Sequence, residues 1–263
     1  MLIVKIGGGS SINIKGIVAD LSELNEKFIV IHGANSIRDR LAEQLGRPKK
    51  TITSVSGYSS VFSDEHAIEL IMMSYSGLQN KRIVEMFQQH GINAVGLSGL
   101  DGKSIQGLRN KGIRIEENGK QKIVRDFSGK PKRANKELLQ LLLDNGYVPV
   151  LCIPIIDENN FAINSENDDI VNVINEAFHA DTILSLIEAP GFLENKDDEN
   201  SLVRNIPKEE LQEREQQVEG RMKRKILALR KLFEAGAAKV IISDGRTKNP
   251  VKDALSGRGT TIQ

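Results

Sequence analysis

Two glycine turns that end apolar runs are the first places in this sequence where chemistry could happen. Val4-Lys5-Ile6 runs into Gly7-Gly8-Gly9-Ser10, and Phe28-Ile29-Val30-Ile31-His32 runs into Gly33-Ala34-Asn35. Glycine lets backbone N–H groups approach phosphate oxygens, and Lys5 at the strand end adds a positive charge beside them. Neither segment is a Walker A loop or a dinucleotide fingerprint, and each also reads as a plain tight turn. His32 serves either as a strand-end histidine bonded to backbone or as a proton-transfer group. A third signal is Ala162-Ile163-Asn164-Ser165-Glu166-Asn167-Asp168-Asp169, just before a helical pattern over 170–179. Asp168 there is either an N-cap or a polar clamp that orients lysines. The fourth is Gly220-Arg221-Met222-Lys223-Arg224-Lys225, a helix start carrying four cations although the macrodipole favours acids at that end. A phosphate partner and a solvated basic face both account for it.

Other chemistry is missing. No Ser/His/Asp constellation appears, and His32, His66, His90 and His179 lack the short spacings of metal ligands, so no resident metal is expected. A carboxylate acceptor is already ionised at neutral pH and needs no general base. Phosphoryl transfer to it relies on positioning and on neutralising charge, which lysines, backbone N–H groups and Mg²⁺ supply.

The elements that must hold these groups follow from periodicity. Short β-branched runs at 2–6, 28–32, 92–97, 147–153, 182–187 and 239–243 alternate with helix-length segments. Continuous apolar strands of this kind predict an α/β fold with a mostly parallel sheet sandwiched by helices. Parallel strands place their C-terminal ends on one edge, so both glycine turns can face one ligand. Residues 112–125 break the alternation and read as an inserted β-hairpin flap turning at Asn118-Gly119. Residues 64–90 carry apolar side chains at helical spacing interrupted near Gly77, which predicts a long central helix or a kinked pair. The polar run 194–201 reads as a solvated loop between lobes.

With 263 residues and a 39% hydrophobic fraction, the chain can bury a sizeable core as one large domain or two joined lobes. No apolar run approaches the ~20 residues that span a bilayer, and the opening lacks a signal-peptide pattern, so a cytoplasmic protein without membrane contact is expected. Cys152, the single cysteine, sits in an apolar run and reads as a core residue. The formal charge of +1 argues against bulk nucleic-acid affinity. Between residues 103 and 133, however, ten Lys/Arg face only Glu116, Glu117 and Asp126. Such a patch attracts an acidic protein, or is a solvated flap, or contacts nucleic acid; the scarcity of interleaved aromatics disfavours the last.

Taken in order, the four signals resemble the acetylglutamate kinase branch of the amino acid kinase superfamily. The resemblance is strongest to its members that act on aminoadipate or glutamate attached to the small carrier protein LysW. It extends over Gly46-Arg47-Pro48, Asn80 to Glu85, Asn93 to Gly102, Ala189-Pro190-Gly191, Glu219 to Lys225 and Gly259-Thr260. The resemblance implies ATP and Mg²⁺, with Lys5 and Lys225 flanking the transferring phosphoryl group and Asp168 holding both. It implies phosphate or nucleotide contacts at Gly7, Gly8, Gly9, Gly33, Glu188, Gly191 and Met222. Substrate contacts are implied at Ala34, Asn35, Ser59, Ser60 and Asn164. It further implies a homodimer through 64–90, a lobe for acceptor binding and dimerisation over 1–180, and an ATP lobe over 181–263.

Departures from the family pattern bear on the substrate. Ala34 stands where a second glycine is usual. Ser59 and Val61 stand where free-substrate and carrier-type enzymes respectively carry an arginine, and loss of a bidentate carboxylate partner weakens binding unless another cation replaces it. Glu188 adds an acid near the expected phosphates. The missing arginines, with the basic hairpin, favour an acceptor presented by a small acidic amino-group carrier protein docking at Arg114, Lys122 and Arg125. A free N-acetylglutamate acceptor, and a non-catalytic sensor or scaffold suggested by Ala34, Val61 and Glu188, are the rival expectations.

Overall fold

The computed structural model of the chain describes residues 1–55, 59–117, 120–195, 197–217 and 220–263. All six expected strands form, with ends moved by one or two residues at most. They lie parallel in one sheet in the order Val240–Asp244, Thr182–Ile187, Leu2–Ile6, Phe28–His32, Val148–Cys152, Ala94–Ser98. Two short strands extend the Val240–Asp244 edge: Thr260–Ile262, antiparallel to it, and then Asn205–Ile206. At three and two residues, neither carries enough periodicity to be read from sequence.

Why these strands occupy the middle is visible in their side chains. Successive residues point to opposite faces, and both faces are covered. On one face Ile3, Ile29, Ile31 and Ile183 pack with Ile170, Ile174 and Leu229 of the helices Asn167–Phe178 and Gly220–Glu234. On the other, Leu2, Val4, Val30 and Leu184 pack with Ile17, Ile83, Phe87 and Val251 of three further helices. Lys5 is the one charged residue of the first strand and is only partly buried. Cys152 is a core residue as expected, and burial pushes its thiol up to about 12.

The central helix is continuous rather than kinked. Asp64 caps it by accepting from the Ala67 N–H at 2.9 Å, and Glu65–Ile71 passes through a π-helical stretch, Met72–Gln79, into Asn80–Gln89. The hairpin also forms, Ile113–Glu117 against Lys120–Val124; its Asn118-Gly119 turn lies outside the described residues. A four-stranded second sheet, built from Ile105–Arg109, Gly129–Ala134, Ile155–Ile156 and Ala162–Ile163, carries the hairpin's base. Residues 194, 195 and 197–200 of the polar run are exposed, but the run does not join lobes. A Leu193–Leu202 bridge closes it as a turn beyond Thr182–Ile187, within one half of the sheet. No helix among the described residues is long and apolar enough to cross a membrane.

Candidate active site

The first strand is the place where strand order reverses: the next strand in sequence lies on one side of it, and Thr182–Ile187 on the other. In parallel sheets the crevice beyond the strand ends at such a point receives ligands. Both glycine turns lie there, back to back. A Cβ on Gly8 would stand 2.7 Å from the Asn35 nitrogen, and one on Gly33 would stand 2.7 Å from the Gly8 nitrogen. Only glycine fits at either position without moving the other turn.

The sequence expectations divide at these turns. Gly7 donates its N–H to the Leu186 carbonyl at 2.8 Å, and Gly33 donates to Ile6 at 2.9 Å, so neither N–H is left for a ligand. The N–H groups of Gly7 and Gly33, both expected at the phosphates, serve instead to join strands. Among the described residues, Gly8, Gly9 and Asn35 keep N–H groups with no backbone acceptor. Asn35 begins the helix Asn35–Gln44, whose start has no side-chain cap and therefore presents the positive end of its dipole. Ala34, where a second glycine is usual, has a φ of −149°, outside the region that needs glycine, and its methyl group packs in the core.

Lys5 and Asp168 meet in the crevice, Nζ donating to Oδ1 at 2.9 Å. Asp168 is not the N-cap. The helix begins at Asn167 with Glu166 in the cap position, and Asp168 lies in the first turn, where a carboxylate is favoured by the dipole. Lys5 registers with Ser185, so both point to the face covered by this helix. Between that face and the helix Gly220–Glu234 lies a largely apolar cavity of about 180 Å³, lined by Lys5, Asp168, Ile187, Gly191, Leu229 and Ile242 among others. The helix carries Met222 and Lys225 in its first turns, but their side chains, like those of Ser59 and Ser60 in the strand Ser59–Val61, lie outside what the structure describes.

His32 lies away from the Lys5–Asp168 pair. Its side chain is on the opposite face from Lys5 and fully buried, and the Asn80 side-chain amide lies 3.1 Å from Nε2. Burial lowers its pKa to about 4, so the ring is neutral, and the Asn80 donor assigns the proton to Nδ1, which faces the Gly33 carbonyl. It is the backbone-bonded histidine of the two readings.

Glu188 adopts an arrangement that the sequence did not predict. Oε1 accepts from the Ser11 N–H at 2.9 Å and from the Ser11 hydroxyl at 2.5 Å, which hold its carboxyl below the usual range. Its other oxygen lies over Gly9, 1.8 Å from where a Cβ would be. The glycine there makes room for this carboxylate.

From the crevice, residues 164–168 run along the sheet edge. Asn167 donates to the His32 carbonyl at 3.2 Å. Its Oδ1 and the Ser165 hydroxyl are buried without a protein partner among the described residues. Asn164 donates to the Ser63 hydroxyl at 3.0 Å and is fixed by backbone bonds to Phe127 and Gly129. Asp126, 3% exposed, accepts from the Ser63 N–H and from Ser128, so it joins the hairpin's base to this segment. Tyr75 donates to Asn35 Oδ1 at 2.5 Å, and burial raises its pKa to about 12. Ser63 and Tyr75 carry no site signal in the sequence because their partners, Asp126 and Asn35, are tens of residues away.

The expected docking residues fall on two faces. Arg114, Arg125 and Lys122 are all exposed, but Arg114 pairs across the hairpin with Ile123, whereas Lys122 pairs with Ile115 on the reverse side. Arg114, Ile123 and Arg125 thus share one face, with Ile123 itself 65% exposed.

Comparison with known proteins agrees with this geometry. The model of the amino acid kinase family matches residues 1–244. A [LysW]-aminoadipate kinase of Thermus thermophilus is 39% identical over 269 residues, with all of both chains covered. An acetylglutamate kinase of Methanopyrus kandleri is 31% identical over 265 residues, again across all of both chains. The carbamate kinase of Giardia, 16% identical, superimposes with a TM-score of 0.68 over 99% of this chain and 97% of its own, which shows a shared fold.

Proposed function

Because this chain belongs to the amino acid kinase family and is a phosphotransferase, we propose that it moves the γ-phosphoryl group of ATP to a side-chain carboxylate. The acceptor is α-aminoadipate or glutamate joined through its amino group to a small acidic carrier protein, and the acyl phosphate feeds lysine or arginine synthesis. The observation that carries this reading is the Lys5–Asp168 pair, set between donor-bearing glycine turns and an apolar cavity. Residues 1–180 form the acceptor lobe and 181–263 the nucleotide lobe.

In this reading the nucleotide's base and ribose lie toward the cavity beside Ile187 and Gly191. Its phosphates reach the N–H groups of Gly8, Gly9 and Asn35 at the uncapped helix start. Lys5, aimed by Asp168, and Lys225 neutralise charge that grows on the migrating group. Removing one such donor typically lowers kcat by about 10²–10³. The acceptor carboxylate attacks in line, and no residue need take a proton from it. Asn164 reads the amide that joins the amino acid to its carrier. Among the described residues no group of three or more metal-ligating side chains converges. Mg²⁺ arriving with the nucleotide would neutralise oxygen charge on its phosphates, beside the N–H groups of Gly8, Gly9 and Asn35.

The exposed face of Arg114, Ile123 and Arg125 favours a carrier-borne acceptor over free N-acetylglutamate, since an apolar residue flanked by cations suits an acidic protein surface. Met72 and Met73, 37% and 41% exposed on the central helix, offer the surface for a homodimer. The test is hydroxylamine trapping of acyl phosphate with Mg-ATP, comparing carrier-linked and free acetylated acceptors. Turnover with carrier-linked acceptor alone supports the proposal; turnover with the free acceptor alone replaces it, and none with either overturns both.

A further inference from the structure

We propose that Arg109 is the cation that binds the free α-carboxylate of the acceptor amino acid, an inference that rests on the carrier-linked acceptor reading. An amino acid attached through its nitrogen still carries that carboxylate, at the end opposite the one phosphorylated. A cation must meet it, and Val61 and Ser59 offer none.

Arg109 is placed and prepared for this. Its Nε donates to the Asp126 carbonyl at 2.8 Å, and its guanidinium carbon stands 4.0 Å over the Phe127 ring. Two contacts thus fix a half-buried planar cation before any ligand arrives, which lessens the ordering entropy of binding. Among the described residues no carboxylate pairs with its terminal nitrogens. Asp126 is spent on Ser63 and Ser128, and Glu158 accepts from the Arg109 backbone N–H, feeling the guanidinium's charge without a hydrogen bond from it. The carbonyl of Phe127, whose ring lies beneath the guanidinium, accepts the Asn164 N–H at 2.7 Å, so one residue links the cation to the residue assigned to the acceptor's amide. Arg38, near the other glycine turn, is already committed, since Nε and Nη2 both donate to Asp39 Oδ1 at 3.0 and 2.8 Å.

Chain geometry agrees. From Asn164 to Asp168 is four residues, at most about 14 Å of chain, and less where the helix has begun. An aminoadipate side chain, with C–C bonds of about 1.5 Å, reaches about 5 Å, which leaves room for a phosphoryl group and the contacts at each end.

The experiment compares Arg109→Ala, Arg109→Lys and the wild-type enzyme on two carrier-linked acceptors, one with the α-carboxylate and one with a neutral α-carboxamide in its place. For the carboxylate, Arg109→Ala should raise KM about tenfold to a hundredfold with kcat nearly unchanged, and Arg109→Lys should recover part of the loss. The wild type should discriminate against the carboxamide by a similar factor, and Arg109→Ala should not. If Arg109→Ala weakens both acceptors alike, Arg109 is only a clip for the hairpin's base and the inference fails. Phe127→Leu separates the two roles: it removes the stack and keeps the cation, so it should retain discrimination at a higher KM. Loss of discrimination in a folded Phe127→Leu enzyme would mean that the aromatic face and not the cation reads the acceptor, which also overturns the inference. Absence of wild-type turnover with any carrier-linked acceptor overturns the parent reading and this inference with it.

Discussion

Gly8 and Gly33 touch backbone to backbone, and a Cβ on either would stand 2.7 Å from a backbone nitrogen of the facing turn. The contact fixes the distance between two parallel strands at the edge where their ends form the crevice. Alanine at either position should destabilise the protein by about 1–3 kcal/mol, as overpacking does, and should also raise KM for ATP. Thermal unfolding and nucleotide titration measure both. At Gly7 the nearest atom, the Leu186 carbonyl oxygen, is 3.1 Å from where an added methyl would stand, so Gly7→Ala should be the milder change.

Lys5→Ala should lower kcat by about 10²–10³ and leave the unfolding midpoint nearly unchanged, because a partly exposed ion pair contributes only about 0–1 kcal/mol. Asp168→Asn keeps a side chain of similar shape but releases Lys5, so its kcat should fall between those of Lys5→Ala and the wild type. Equal kcat in Lys5→Ala and wild type would remove Lys5 from the mechanism.

Glu188 holds the Ser11 N–H next to the expected phosphates. Glu188→Gln removes a negative charge there and should lower KM for ATP. The same carboxyl is held below its ordinary pKa by the Ser11 hydroxyl and N–H. Its contribution to stability is therefore present above the ordinary carboxylate range and lost as pH falls through the folded value. The difference in Tm between wild type and Glu188→Gln should accordingly be constant near neutrality and shrink in acid.

His32 gives the larger pH effect. Its folded pKa of about 4 lies below the ordinary 6.5, so between these values the unfolded chain binds the extra proton. Stability should decline as pH falls from 6.5 toward 4, by at most about 3 kcal/mol. His32→Gln, which cannot take up that proton, should flatten the wild-type slope of unfolding free energy against pH across this window. An unchanged slope would show that other groups set it.

The parallel sheet and the glycine turns were legible in the sequence because both are local. A run such as Phe28–His32 is apolar at nearly every position only if both of its faces are buried, and glycines directly after two such strands imply one ligand edge. Lys5 and Asp168 could be named for the same reason, each standing at the end or start of a periodic segment. The sequence could not show that Gly33 uses its N–H to join strands while Asn35 keeps one free, since that depends on which carbonyl lies opposite. Nor could it place Arg109 over Phe127 or split Arg114 from Lys122, because faces and stacks are set by register and by partners distant in the chain. Sequence alone determined the sheet, the edge where both glycine turns meet and the family's type of chemistry. Tertiary structure decided which donors remain unspent and that Arg109 stacks on Phe127, whose carbonyl holds Asn164, because hydrogen bonds are allocated only when the chain closes on itself.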